Sequence, residues 1–159
     1  IIYREGPTGF KVLAAEKDNR ITSYFSNGNH TLDRSYCFKL EEKNTCGLLS
    51  DTFTDLRHCT IEIAAKGDTN KNSIHWNKYC GWNTVSVYNI YRKELNTPSV
   101  MQQIGTVSGD STSYVDSILY CNIDYSYKVE GIEENGNLQT SWSDTANATA
   151  IWVYTPQSN

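Results

Sequence analysis

Five cysteines and three histidines are the side chains of this 159-residue sequence best suited to covalent or metal chemistry. Cys37, Cys46, Cys59, Cys80 and Cys121 form no CxxC pair, and none lies at a zinc-ligand spacing from His30, His58 or His75. Disulfides or buried thiols remain, and the odd number leaves at least one cysteine without a partner inside the chain. Cys37 and Cys59 lie equidistant from residue 48, beside the turn-forming pair Cys46-Gly47. If their strands form a hairpin, the two face one another near the Cα separation of about 5.5 Å that a disulfide accepts. Two buried thiols are the alternative. Cys80 and Cys121 fall in loops expected at opposite poles of one domain and are not expected to pair. Whether Cys46, Cys80 and Cys121 are free or joined to cysteines outside the chain stays open.

The histidines have no sequence-local base or nucleophile beside them, so solvated or structural roles are expected. No G-x-S-x-G, H-E-x-x-H, phosphate-binding Gly-rich loop or calcium loop is present. Neither catalysis nor a cofactor is expected. Tyr79, Trp82 and Tyr88 could form a platform on which pyranose rings stack. Packing in the core and its loops is the competing reading, because strand alternation already turns several of these rings inward. The acidic run Glu130 to Glu134 reads as a solvated strand edge. A net charge of −4 lacks the basic footprint that a phosphate backbone demands, so nucleic acid is not an expected partner. No apolar run is long enough to embed the chain in a membrane. The opening Ile1-Ile2-Tyr3-Arg4 has no leader character, and a mature or excised fragment is expected.

The elements that must position these residues are strands. Eleven Tyr, four Trp and abundant Thr, Ser and Asn, with a single Met, suit half-buried pleated surfaces joined by polar turns. The class is all-β. Ile2-Tyr3-Arg4-Glu5 recurs as Ile90-Tyr91-Arg92-Lys93, an offset of 88. Thr22-Ser23-Tyr24 returns as Thr112-Ser113-Tyr114, and Tyr36-x-Phe38-Lys39-Leu40-Glu41 returns as Tyr125-x-Tyr127-Lys128-Val129-Glu130. A period near 89 is the size of one small β-sandwich module. The second copy reads as seven strands, at about 60–66, 73–79, 85–92, 100–107, 112–116, 124–132 and 139–152. Gly67-Asp68, Gly81, Thr97-Pro98, Gly109-Asp110 and Asn135-Gly136 supply the turns. The first copy begins inside its third strand, so residues 1–59 hold only the last strands of a module, with Ile21 to Phe25 as its fifth. Ile2, Val12, Phe38 and Leu40 are expected on its apolar face.

Ile74-x-Trp76, Tyr88-x-Ile90-Tyr91-Arg92, and Leu119 placed six residues before Tyr125-x-Tyr127-x-Val129 together resemble the fibronectin type III family. The resemblance implies tandem immunoglobulin-like β-sandwiches: a partial module over 1–59, a complete one over 60–153, and a linker or tail over 154–159. It further implies that Trp76 fills the core and that the Tyr125 hydroxyl bonds back to the backbone near Leu119. The family's Pro between that Leu and Tyr is Cys121 here, and Leu32 stands only four residues before Tyr36. Trp76-Asn77-x-Tyr79-x-Gly81-Trp82, Tyr36-Cys37, Cys46-Gly47 and Cys59-Thr60-Ile61 resemble modules preceding the sorting domain of surface proteins from type IX-secreting, often gliding, bacteria. Asp110-Ser111, Asp116-Ser117 and Asp144-Thr145 are similar to the pattern at which such bacteria attach O-glycans, which makes Ser111, Ser117 and Thr145 candidate attachment sites. Trp142 in Thr140-Ser141-Trp142-Ser143 resembles half of the motif in which cytokine-receptor modules stack an aromatic on arginines.

Two functions follow as expectations. The first is an extracellular structural or adhesive spacer without catalysis, whose partners are adjacent modules of its parent chain. Strand passes almost directly into strand at Arg57-His58-Cys59-Thr60-Ile61, a short and stiff join. The second is an accessory module of a secreted enzyme that binds a surface protein or polysaccharide.

Overall fold

The computed structural model describes residues 1–15, 23–25, 34–49, 57–134 and 139–153. Every regular element in them is a strand. The second repeat is a two-layer sandwich. One layer orders β5 (Ile63–Asp68), β6 (Lys71–Trp76) and β9 (Ser113–Asp116) side by side. The other orders β11 (Thr140–Trp142), β10 (Asp124–Glu133), β7 (Val85–Glu94) and β8 (Gln102–Ser108), with β12 (Ala146–Thr149) continuing beside β10. All the ladders within the two layers are antiparallel. Three strands facing four positions in this order make a fibronectin type III-like sandwich.

Alternation explains the layers. On β6, Asn72, Ile74 and Trp76 point inward while Lys71 and His75 stay exposed. They meet Tyr88 and Ile90 of β7 and Tyr125, Tyr127 and Val129 of β10, with Trp76 edge-on to Tyr88 at 5.4 Å between ring centroids. Each fully buried side chain of this size contributes about 1.5–3 kcal/mol. A polar chain crosses the core between the layers. Asn72 Nδ2 donates to the Tyr127 hydroxyl, which donates to Asp116 Oδ2 (2.8 Å each), and Arg92 Nη1 donates to the same Oδ2 at 2.7 Å. The Tyr125 hydroxyl accepts the Tyr120 N–H at 3.0 Å, closing a corner beside Leu119.

Three local readings are corrected. The expected turn at Gly67-Asp68 lies within β5, and the chain reverses instead at Thr69-Asn70, where Asn70 takes the left-handed conformation with φ of 57°. Gly67 is small because the Thr149 carbonyl passes where its Cβ would stand. The single last strand is two strands: at Ser143 the side-chain hydroxyl takes over the Val129 N–H, and the ladder breaks through 143–145. Glu130 is not on a solvated edge. β10 is interior to its sheet, and Glu130 is only 9% exposed beneath Asn89 and Tyr91.

The described part of the first repeat is one four-stranded sheet ordered β2 (Gly9–Ala14), β1 (Ile2–Gly6), β3 (Cys37–Leu40) and β4 (His58–Cys59). It reproduces β8-β7-β10-β12 strand for strand. Register is reproduced as well: Ile2 faces Leu40 and Arg4 faces Phe38, as Ile90 faces Val129 and Arg92 faces Tyr127. No second layer faces this sheet among the described residues. Ile2, Phe38 and Leu40 share a face, with Leu40 77% exposed. Val12 does not join them. An irregularity between Ile2 and Tyr3 pairs Val12 with Tyr3, which places it on the opposite face. Ser23 to Phe25 lie outside any strand, and Ile21, Thr22, His30, Leu32, Asn135, Gly136 and the tail 154–159 fall outside the described residues.

Candidate functional site

Hydrogen bonds and ring contacts gather where one repeat becomes the next. Cys37 and Cys59 face each other across β3 and β4 and are bonded, with 3.9 Å between their Cα atoms. That is closer than 5.5 Å because the hydrogen-bonded pair is the next one along, Thr60 N–H to the Tyr36 carbonyl, and non-hydrogen-bonded pairs approach more closely. Thr60 is then held from both sides. Ser35 Oγ donates to its carbonyl and its own Oγ1 accepts the Tyr36 N–H, while Asn77 of the second repeat reaches the same carbonyl with Nδ2 and accepts the Glu62 N–H on Oδ1. One residue earlier, the Cys59 N–H donates to the Cys80 carbonyl at 2.8 Å. One residue later, Ile61 is wholly buried in the second repeat's core.

The loop after β6 completes this join. His58 Nδ1 lies 2.6 Å from the Tyr79 hydroxyl, and the Tyr79 ring stacks at a tilt on Trp82 with centroids 4.2 Å apart. The Tyr79 N–H donates to the Tyr88 hydroxyl at 2.7 Å. Burial pushes the Tyr79 phenol up to about 12 and raises that of Tyr88 as well. The candidate sugar platform of Tyr79, Trp82 and Tyr88 is therefore corrected. Tyr88 is fully buried, Tyr79 is 9% exposed and Trp82 is half-buried, so the three rings wedge the join rather than offering a flat outer face.

The other sequence candidates are scattered. Ser111, Ser117 and Thr145 lie in three separate loops. Ser117 is exposed, but Asp116 before it is spent inside the core on Arg92 and Tyr127, whereas Asp110 and Asp144 are at the surface. His75 faces away from Trp76 and is exposed. Cys46 is exposed, Cys80 and Cys121 are half-buried, and none of the three carries a disulfide. Among the described residues no three His, Cys, Asp or Glu side chains are grouped to hold a metal, and no helix is long and apolar enough to cross a membrane. Trp142 meets one lysine, with Lys128 Nζ 5.4 Å from its ring centroid, where the stacked motif it resembles uses arginines.

No protein-family model matches the sequence, and no curated protein matches it. Solved structures are similar at low identity. An Fn3-like protein from Clostridium thermocellum is 22% identical over 58% of this chain and 92% of its own, with a TM-score of 0.44. The fn3 domain of human contactin 1 is 19% identical over 62% of this chain and 81% of its own, with a TM-score of 0.49. Pectate lyase PelI from Erwinia chrysanthemi, in complex with tetragalacturonic acid, is 16% identical with a TM-score of 0.48, and this chain covers 55% of itself but 28% of that enzyme. Strand order and pair register, rather than these scores, make the chain an all-β protein with a fibronectin type III-like sandwich.

Proposed function

We propose that the chain is a stiff, non-catalytic spacer of an extracellular or cell-surface protein, holding the domains on either side at a set distance and angle. The observation behind this reading is the clamping of Thr60 by Ser35 and Tyr36 on one side and Asn77 on the other, directly after a disulfide and directly before a core residue. Backbone or side-chain bonds at Cys59, Thr60 and Glu62 oppose a hinge at this point. On the same reading, residues 60–153 are a self-sufficient module and 1–59 a partial one. The disulfide suits an oxidising compartment. Export through a type IX system, adhesion, and glycan attachment at Ser111 or Thr145 are finer parts of the proposal that rest on the resemblances described above.

Spin labels placed at Lys11→Cys and Lys66→Cys, with Cys46, Cys80 and Cys121 replaced by Ser, test the spacer directly. A stiff join gives one narrow distance distribution. A broad distribution, spanning what a flexible linker allows, would end this reading.

A further inference from the structure

We propose that the outer face of the five-stranded sheet binds a neutral polysaccharide, stacking a pyranose ring on Trp142 and taking its hydroxyls with Gln103 and Thr106, which Asn89 and the buried Glu130 hold in place. This site is separate from the join and does not depend on the spacer reading.

Register places the residues in two rows. Trp142 of β11 faces Glu130 of β10, which faces Asn89 of β7, which faces Thr106 of β8. In the adjoining row Lys128 faces Tyr91, which faces Gln103. At the usual strand spacing the first row runs about 14 Å, long enough for a short oligosaccharide. Trp142 is 43% exposed although Tyr91 and Lys128 back it at 5.0 and 5.4 Å. An indole that is supported yet partly open offers the flat apolar surface that the C–H face of a sugar packs against.

The polar groups beside it are already ordered. Tyr91 OH and Asn89 Nδ2 both donate to Glu130 Oε2, at 2.8 and 3.1 Å, and the buried carboxylate thereby anchors the row from beneath. Because a carboxylate only accepts, this bond fixes which end of the Asn89 amide faces Glu130. Asn89 Oδ1 in turn accepts from Gln103 Nε2 and from Thr106 Oγ1, which orients the Gln103 amide at the exposed end of the row. A sugar hydroxyl meeting Gln103 or Thr106 finds partners that lose little freedom on binding. The buried Glu130 carboxylate and the Lys128 ammonium over the indole offset one another, so nothing in the row attracts an ionised sugar and the ligand chemistry is a neutral hexose or pentose chain.

Retardation of the whole chain in native gels containing β-glucan, xylan, galactan or, as the anionic control, polygalacturonate tests this, with pull-down on insoluble cellulose and chitin. Binding to at least one neutral polysaccharide is expected. Trp142→Ala should weaken it about tenfold or more, Glu130→Gln should weaken it less, and Val100→Ala, an exposed loop change, should leave it intact. Backbone amide shifts on adding the matching oligosaccharide should concentrate on residues 89–91, 103–106, 128–130 and 140–142, a readout that needs no variant to fold. The proposal is overturned if no neutral polysaccharide binds, if binding survives Trp142→Ala, if the shifts map elsewhere, or if this face is occupied only by a protein partner.

Discussion

Gly81 packs directly under the His58 ring: a Cβ on Gly81 would fall inside contact distance of Nδ1 and stand 2.8 Å from Cγ. The same glycine has φ of +147°, a region side chains avoid. His58 cannot simply swing aside, because its Nδ1 is paired with the Tyr79 hydroxyl. Gly81→Ala is therefore expected to cost about 1–3 kcal/mol and to displace the histidine. Broadening of the Lys11-to-Lys66 label distances, with the core of 60–153 still protected from hydrogen exchange, is the expected signature. An unchanged distance distribution would show that the ring contact does not set the angle.

The Cys37–Cys59 bond closes a loop with a sequence separation of 22, and chain entropy puts its contribution at about 3 kcal/mol. Replacing both cysteines by serine should lower the stability of the first repeat by that order. Hydrogen exchange is the suitable probe. Protection should fall at Tyr36 and at 58–60 while β6, β7 and β10 stay as they were, and uniform loss across both repeats would contradict the assignment.

Asp116 supplies the acceptor for both Arg92 and Tyr127 inside the sandwich and is 3% exposed. Asp116→Ala removes the acceptor of the partly exposed Arg92 guanidinium and of Tyr127, a loss of about 1.5–3 kcal/mol. Combining it with Arg92→Met should recover a substantial part. Urea midpoints of the single and double variants decide the matter, and strict additivity would mean that the two groups do not act together.

Alkaline pH should destabilise the second repeat through its buried phenols. Burial raises the Tyr79 phenol to about 12 and also raises Tyr88 and Tyr127, so in the folded state they stay protonated when the unfolded chain already ionises near 10. The unfolded state then binds fewer protons. Stability is complete below pH 10 and falls above it, by about 1.4 kcal/mol per pH unit for each such tyrosine. For Tyr79 the decline continues up to about 12. Urea midpoints between pH 9 and 11.5, with free thiols alkylated, should show the slope, and Tyr79→Phe should make it shallower. A flat profile would contradict the burial of these hydroxyls.

The sequence by itself determined the all-β class and the repeat. Spacing carried these: Ile2 and Ile90 stand at equivalent ladder positions, and Trp76 and Tyr125 are buried where alternation puts them. Cys37 and Cys59 could be read as neighbours because a hairpin makes pairing a matter of counting from its turn. What counting cannot supply is the environment above a strand. Glu130 sits in an acidic run that looks solvated, yet the strand carrying it is interior and Asn89 and Tyr91 close over it. Tyr79 and Tyr88 have the ring chemistry of a sugar platform, and only the loop that folds back onto His58 turns them into a wedge. Val12 lies on the opposite face from Ile2 because one irregular pair reverses the alternation on β2. Trp142, Glu130, Asn89 and Thr106 come from four strands spread over 54 residues, and they form a row only once β11, β10, β7 and β8 are laid side by side in register. Local periodicity decides which way a side chain points along its own strand, and tertiary pairing decides what it meets there.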